Sequence, residues 1–531
     1  LDILVVGGGI TGVATARDAA MRGLRVGCVE RRDFGYGTSS RSSKLIHGGL
    51  RYLEQMQFRL VFEGTHERAL LRTLAPHLVR PIPFLFPVYK SSKRSPWIVR
   101  LGLWLYDLLA GRRRYRRHKG LKAKGVQEAE PLLLDDSLRG GALYYDCMTD
   151  DARLCLENAL SAAEEGATLL NYCSFVRALK EDDQIRGAVI RDECTGQEHE
   201  IQCRSIIHCA GPWTDEVRQR TGYDKSNMIR TTKGVHLVFP WKKLPLKQAV
   251  VLNSREDGRV VFAIPRGRVT LVGTTDTDYS SKPDTVRATR QDVDYLMATL
   301  DHYFQENAPT EADIQATYAG LRPLVKDDAS SPYDVSREHT VVRDPRGVIT
   351  IGGGKYTTYR RMAHDCVEAV MDILGLPKKK RPSCPTADAL LPGALLDGES
   401  TDPEFITATL NERRCDPEVA TYRAAVYGSR AIQIANEKPE RLVASLPITW
   451  DELQFAVYKE DAVTPEDFLV RRTALFYEAP DQGLECLEAV ADQMAQWFNW
   501  SESTREQHVA EYRSMVHTSR AWKTDPKKVA T

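Results

Sequence analysis

Residues 2–30 read DILVVGGGITGVATARDAAMRGLRVGCVE, and this stretch decides the fold. The apolar run 2–6 predicts a strand, 7–12 a glycine turn, 11–22 an alanine-rich helix and 25–30 a second strand, which together make a βαβ start. Gly7, Gly9 and Gly12 have the spacing that allows a tight turn, close approach of a pyrophosphate and close packing of the helix. The N-terminus of that helix, with Thr11 in its first turn, then faces the phosphates. Glu30 ends the second strand, where an acid bonds ribose hydroxyls. A glycine turn alone serves structure as readily as ligands. The strand, helix and terminal Glu in register make Gly7, Gly9, Thr11, Gly12 and Glu30 dinucleotide contacts.

Outward from this unit lies a polar loop, Gly37-Thr38-Ser39-Ser40-Arg41-Ser42-Ser43-Lys44-Leu45-Ile46-His47-Gly48-Gly49. Its many hydroxyl and backbone donors suit a ligand that runs on past the first pyrophosphate contact, which favours FAD over NAD. Lys44 to His47 interrupt the serines and argue against a flexible tether. Further on, 53–80 looks helical, and Pro76, Pro81, Pro83 and Pro87 are expected to break the chain. A second βαβ-like stretch follows: a helix over 151–165, then strands over 168–172, 186–190 and 200–209. Residues 230–275 alternate strand-like runs with turns. A strand over 347–351 runs into Gly352-Gly353-Gly354 and another helix. From about Pro385 the chain turns helical, with an expected helix start at Thr464-Pro465-Glu466-Asp467 and a capping box of Ser503 with Glu506. The nucleotide-binding pieces are thus interleaved with a more β-rich region.

Composition narrows the function classes. The chain has 531 residues, 42% hydrophobic and 27% charged, with formal net charge +1. That length calls for more than one domain, and the near-zero charge gives no global field for nucleic acid. The 11 cysteines include no CxxC pair and indicate neither a disulfide framework nor a metal site. No apolar run reaches the roughly 20 residues that span a bilayer. The chain opens at Leu1, inside a strand and without Met, so a longer natural N-terminus is expected.

Three segments, 2–13, 37–52 and 352–360, closely resemble the FAD-dependent, quinone-linked glycerol-3-phosphate dehydrogenases of the aerobic type. Cys209-Ala210-Gly211-Pro212-Trp213, Asp257-Gly258-Arg259, Gly273-Thr274-Thr275-Asp276, Gly320-Leu321-Arg322-Pro323 and Val470-Arg471-Arg472-Thr473 are similar too, in the same order along nearly the whole chain. Ser43 stands where that family often has Thr, and His208-Cys209 where Asn-Ala is common. The calcium-binding extensions of mitochondrial animal members are absent, and the plain length looks bacterial. The resemblance implies an α/β fold: a glutathione-reductase-like FAD-binding Rossmann domain interleaved with an antiparallel-β substrate domain, plus a C-terminal helical domain. The expected division is 1–50, 150–215 and 345–385 for FAD, 51–149 and 216–344 for the substrate-binding cap, and 386–531 for the helical domain.

The implied reaction is oxidation of sn-glycerol 3-phosphate to dihydroxyacetone phosphate, with hydride passing to noncovalent FAD and electrons to a membrane quinone. Such chemistry needs cations for a phosphate dianion and a base for the C2 hydroxyl proton. Arg322 is the first choice for phosphate or substrate oxygen, because a guanidinium matches phosphate bidentately. Arg51, Tyr52, Arg259, Thr275, Arg337 and Lys355 are further substrate candidates. His236 and His47 are both candidate bases, and which one takes the proton stays open. The FAD contacts implied beyond the fingerprint are Thr38, Ser39, Ser40, Ser42, Lys44, Leu45, His47, Ala210, Gly211, Trp213, Gly354, Lys355, Tyr356 and Thr357. The positive end of the helix after Gly354, together with Lys355, would stabilise negative charge on the flavin.

Trp97, Leu101, Trp104, Leu105 and Leu108 recur at helical spacing, with Arg100 and Asp107 on the other side and a basic run from Arg112 to Lys119 behind them. This pattern suits a helix lying in an anionic lipid surface, although the pattern by itself favours a core-facing helix with a solvated basic turn. The expected location is the cytoplasm, peripherally on the inner membrane, or the mitochondrial inner membrane if the source is eukaryotic. A homodimer is left open. Alternatives are a glycerol-3-phosphate oxidase that makes peroxide, an amine or amino-acid oxidase of the same fold, and a noncatalytic flavin-binding protein.

Overall fold

The computed structural model describes residues 1–222, 227–326, 337–396, 399–434 and 439–526. The opening stretch folds as its pattern dictates, into strand Ile3–Val6, helix Ile10–Met21 and strand Val26–Val29. Ile3–Val6 pairs in parallel with Val26–Val29 on one side and with Ser205–His208 on the other. Thr168–Leu170 and Val348–Gly353 extend the parallel sheet, and His339–Asp344 closes one edge antiparallel.

This sheet is covered on both faces, which explains the unbroken apolar run of its central strand. Ile3 and Val5 pack with Ala16 and Ala19 of the first helix and with Val367 and Val370 of helix Tyr359–Ile373. Leu4 and Val6 point the other way, onto Phe175, Ile185 and Ile190 of a three-stranded antiparallel sheet. The expected strand over 200–209 is in fact two strands, Glu198–Gln202 in the small sheet and Ser205–His208 in the parallel one.

A second, larger sheet carries Arg80–Tyr89, Leu138–Met148, Ile229–Pro240, Ala249–Asn253, Val260–Arg266, Val269–Gly273 and Ala316–Val325. Helix Arg290–Phe304 buries Val293, Leu296 and Leu300 against one face. Helix Pro96–Ala110 buries Val99, Leu103 and Tyr106 against part of the other. Pro81, Pro83 and Pro87 do not break the chain, as the sequence suggested, but lie inside strand Arg80–Tyr89. They share one parity, so their missing N–H groups fall on a single edge while antiparallel pairing with Leu138–Met148 persists. Two domain boundaries shift accordingly. His339–Asp344, assigned to the cap, belongs to the parallel sheet, and Leu45–Ile46, assigned to the FAD region, pairs with Leu138–Met148 in the large sheet.

The C-terminal part is helical from Pro403–Glu412 to Glu502–Arg520. The cap of the last helix is Ser501, whose hydroxyl accepts from Thr504 N–H at 3.2 Å, not Ser503 as expected. Ser501 has the extended backbone that a cap requires, whereas Ser503 is already helical.

Helix Trp450–Glu460 starts with a true capping box of Thr449 and Glu452. Glu452 is fully buried, and burial, only partly offset by Arg423, raises its carboxyl from 4.5 to about 7. The native state therefore holds this proton more tightly than the unfolded chain. Its contribution is full below about pH 4.5 and is lost as pH rises through about 7, an effect of about 3 kcal/mol. Glu452→Gln is expected to remove that loss, so its melting temperature should gain on the parent between about pH 5 and about pH 8. Parallel pH profiles for the two proteins would contradict the assignment.

Candidate active site

A cleft of about 410 Å³ opens where the carboxyl ends of the parallel strands meet the large sheet. Its nucleotide end is built by the glycine turn. Gly7 has φ +110°, and a Cβ there would stand 2.6 Å from the Cys209 carbonyl oxygen. A Cβ on Gly12 would stand 1.8 Å from the Gly7 carbonyl, so helix and turn touch without a side chain between them. Gly9, the residue that precedes helix Ile10–Met21, lines the cleft and has no side chain to fill the space in front of the helix N-terminus. Gly8 N–H donates to Glu30 Oε2 at 2.7 Å and Arg32 N–H to Glu30 Oε1 at 2.9 Å, which fixes that carboxylate at the cleft wall. Ser39 Oγ accepts from Ile10 N–H at 2.9 Å and ties the polar loop to the same turn.

The loop splits between lining and scaffolding. Thr38, Ser39, Ser42, Leu45 and His47 line the cleft, as do Ala210, Gly211, Trp213, Gly354, Lys355, Tyr356 and Thr357. Gly12 packs against the turn and does not line the cleft, and two expected ligand contacts of the loop do not line it either. Lys44 is buried, and its ammonium is bound by Asp151 and by the Ser40 carbonyl at 3.2 Å; the Ser40 hydroxyl turns back to the Tyr36 carbonyl at 3.5 Å. Lys44 has φ 55° and points into the protein because Asp151, at the start of helix Asp151–Glu164, also holds the Ser42 hydroxyl at 2.7 Å. After Gly354 the backbone forms a 3₁₀ turn, Tyr356–Thr358, before helix Tyr359–Ile373, so the helix proper starts later than the sequence suggested.

At the other end, cations converge. Arg51, Arg322, Arg337 and Lys355 all line the cleft around Tyr52. Asp276 bridges two of them, accepting from Arg322 and from Arg337 at 3.0 Å each. Burial opposes ionisation of Asp276, but the two guanidinium groups outweigh it and hold its carboxyl below the usual range. The Lys355 ammonium lies 3.6 Å from the Tyr52 ring centroid and is buried with no hydrogen-bond partner among the described residues; Arg337 Nε is in the same state. Burial pulls Arg337 down to about 10 and lowers Lys355 as well. For Tyr52, burial alone would raise the phenol, yet Arg51, Lys355 and Arg337 bring it down to about 7. Such a cluster is under-neutralised and suits a dianion.

Two expected substrate residues face elsewhere. Thr275 Oγ1 accepts from Val235 N–H at 3.0 Å inside the large sheet, while its neighbour Thr274 lines the cleft and accepts from Arg322 at 3.0 Å. Arg259 reaches the Asp276 carbonyl from outside the cleft wall. The sequence reading missed Asp276 and Thr274 as site residues, although both stand in a motif it singled out. It also missed Ser43 and the apolar wall of Phe84, Phe86, Tyr144 and Phe262.

His236, on strand Ile229–Pro240, stacks on Tyr318 with ring centroids 4.6 Å apart, and its Nε2 lies 2.9 Å from Ser43 Oγ. Its Nδ1 is buried without a hydrogen-bond partner among the described residues. Burial, then Arg322 and Lys44, lowers its pKa to about 3, so the imidazole is neutral. Burial likewise lowers His47 to about 4; Thr357 Oγ1, in turn, accepts from its backbone N–H at 3.1 Å. Away from the cleft, Asp18, His364 and Cys384 come together, but the Arg22 guanidinium binds Asp18 at 2.5 Å and His364 at 2.7 Å.

Residues 2–360 match the family model described as FAD dependent oxidoreductase, and residues 384–505 match the C-terminal domain of alpha-glycerophosphate oxidase. The aerobic glycerol-3-phosphate dehydrogenase of Staphylococcus haemolyticus is 36% identical over 521 residues, 96% of this chain and 93% of that protein. The chain belongs to the FAD-dependent glycerol-3-phosphate dehydrogenase family. The namesake from Bacillus subtilis is 36% identical over 525 residues, 97% of this chain and 94% of its own length. A crystal structure of the glycerol-3-phosphate dehydrogenase from Bacillus halodurans, complexed with FAD, superposes with a TM-score of 0.82 at 32% identity, covering 99% of this chain and 96% of that one. The residues present fit the cofactor of this family: a helix N-terminus behind the bare Gly9, a fixed Glu30 carboxylate and a hydroxyl-lined loop follow one another along a single cleft.

Proposed function

We propose that this chain oxidises sn-glycerol 3-phosphate to dihydroxyacetone phosphate at the cation-rich end of the cleft, and passes the electrons to a membrane quinone. The observation that carries the reading is the buried ammonium of Lys355, without a hydrogen-bond partner among the described residues, beside Arg51, Arg322 and Arg337 inside the cofactor cleft of this family. The names of the relatives point to the same substrate.

Bound FAD supplies the acceptor for the hydride that leaves C2. Lys355, Arg337 and Arg51 hold the phosphate, with the Tyr52 hydroxyl among them. Arg322, fixed by Asp276 and Thr274, faces the C2 oxygen and stabilises negative charge as its proton departs. His236 receives that proton. It is neutral before substrate arrives, and a dianion seated nearby raises its proton affinity. Ser43 orients the ring through Nε2, and Tyr318 fixes its plane. Loss of the C–H hydride and the O–H proton leaves the C2 ketone. Anaerobic addition of glycerol 3-phosphate to the yellow protein is expected to bleach the flavin absorption. Bleaching by an amino acid instead would refute the substrate.

Helix Pro96–Ala110 supports attachment to a lipid surface. Its apolar residues are divided between two faces: Val99, Leu103 and Tyr106 turn inward, while Trp97 and Trp104 remain 65% and 56% exposed beside Leu101 and Leu108. Exposed Phe62 lies on the adjoining helix Phe58–Leu74. Asp107 is no solvated face, since it accepts from both the backbone and the ring of His118. Among the described residues no helix is long and apolar enough to cross a membrane. An apolar stripe flanked by Arg112, Arg113 and Arg114 fits peripheral binding to the anionic face of an inner membrane. Trp97→Ser with Trp104→Ser and the three arginines changed to Gln should release the protein from anionic vesicles while reduction of a soluble dye survives. Unaltered vesicle binding would sink this assignment. Quinol yield against peroxide yield separates the quinone reading from an oxidase.

A further inference from the structure

The motif Val470-Arg471-Arg472-Thr473 lies in the helical domain, outside the cleft, yet it reaches the cofactor turn. The backbone is wound as a π-helix over Asp467–Arg472, a form that is rare and tends to occur at functional sites. From it two consecutive arginines converge on one carboxylate. Arg471 Nε donates to Asp33 Oδ2 at 2.6 Å, and Arg472 holds both oxygens of Asp33 at 2.7 and 2.9 Å. All three side chains are buried. Arg471 also binds Asp467 at 2.5 Å and Glu466 at 2.7 Å, and Arg472 binds the Glu460 carbonyl at 2.6 Å.

Asp33 begins the turn that follows Glu30. Within it, Tyr36 N–H donates to the Asp33 carbonyl at 3.0 Å and Gly35 N–H to the Gly8 carbonyl at 3.0 Å. Phe34 packs so closely on Gly8 that a Cβ there would stand 2.7 Å from its ring. Tyr36 lines the cleft, and the Arg471 guanidinium lies 5.4 Å from its ring centroid. A continuous chain of contacts therefore runs from the helical domain through Asp33 to Gly8 and Tyr36.

We infer that Arg471 and Arg472 are positioning residues for FAD, through which the C-terminal domain holds the glycine turn and the Tyr36 wall in their binding geometry. Two guanidinium groups on one buried carboxylate form a stiff joint, because a buried ion pair that loses one partner leaves a costly uncompensated charge. Coupling of this kind is reciprocal: the domain that favours cofactor binding is itself held in place more firmly when cofactor is bound.

The test uses the holoenzyme and reads FAD directly, by the rise in flavin fluorescence as cofactor is released on dilution, so its outcome does not depend on the substrate. Arg472→Met is compared with Gln315→Leu. Gln315 fastens the same domain elsewhere, donating to the Tyr477 and Ala479 carbonyls at 2.7 and 2.9 Å, and does not line the cleft. Arg472→Met should weaken FAD binding about tenfold or more, whereas Gln315→Leu, at a comparable loss of melting temperature, should leave it within about twofold. If Arg472→Met does not fold, Arg472→Lys, which keeps the charge but not the paired bonds, should show about a threefold loss. The inference is overturned if the variant that folds retains parental FAD affinity, or if Gln315→Leu weakens FAD as much.

Discussion

Lys355→Met is expected to raise the KM for glycerol 3-phosphate about 10- to 100-fold, while the protein itself melts at a higher temperature. The two effects have one cause. In the free protein the ammonium is buried without a hydrogen-bond partner among the described residues and lies against the Tyr52 ring. A buried charge in that state costs stability, so a methionine of similar shape should recover about 1–2 kcal/mol. With substrate bound, the same group meets a phosphate oxygen, and a charge-assisted bond is worth about 1.5–3 kcal/mol, which sets the size of the KM change. Because the phosphate does not react, the ground and transition states lose this bond alike, and kcat should fall much less than kcat/KM. There is a pH signature too. Burial holds the Lys355 pKa below 10.5 in the folded protein, so the folded state releases this proton first and stability rises with pH through that window. The variant should lack that rise. A lower melting temperature with an unchanged KM would refute both the site and its electrostatics.

Gly12→Ala should yield a colourless protein. A single methyl group at this position would lie 1.8 Å from the Gly7 carbonyl oxygen, far inside any tolerable contact. The turn cannot retreat, because Gly7 is itself pressed on the Cys209 carbonyl, where a Cβ would be 2.6 Å away. The helix must therefore move off the turn, at a cost of about 3 kcal/mol or more, and the phosphate cradle goes with it. FAD affinity should drop by at least about a hundredfold. Gly102→Ala is the matched control: the helix around Gly102 leaves open space there, and Ala should slightly stabilise the exposed helix by about 1 kcal/mol. Flavin content after purification, read from absorbance, decides it; a fully yellow Gly12→Ala protein would mean that the turn is looser than its contacts imply.

The contrast between these two positions shows what the sequence could and could not reveal. Gly12 was legible because its neighbours in the chain are also its neighbours in space: strand, turn, helix and Glu30 fall within one βαβ unit. Lys44 was misread because its partner, Asp151, lies 107 residues away, and a buried lysine in a serine-rich loop carries no local mark of the carboxylate that neutralises it. Asp276 was quoted within a motif but given no role. Its function as the shared counter-ion of Arg322 and Arg337 depends on partners 46 and 61 residues away. Thr275 was preferred to Thr274, a slip of one residue: the Thr275 hydroxyl is taken by Val235 N–H, while Thr274 lines the cleft. The prolines of Arg80–Tyr89 look like breakers until the parity of their positions is set against a pairing strand far downstream.

The order of strands in the parallel sheet has a consequence for how this chain emerges from the ribosome. The central strand, Ile3–Val6, finds Val26–Val29 almost at once, but its other neighbour is Ser205–His208, and the strand beyond that is Val348–Gly353. At about 5–20 residues per second, translation leaves one side of that apolar strand without its mate for roughly 10–40 s. Nascent chains stalled before residue 205 should thus be sticky and dependent on chaperones, and those stalled beyond residue 353 much less so.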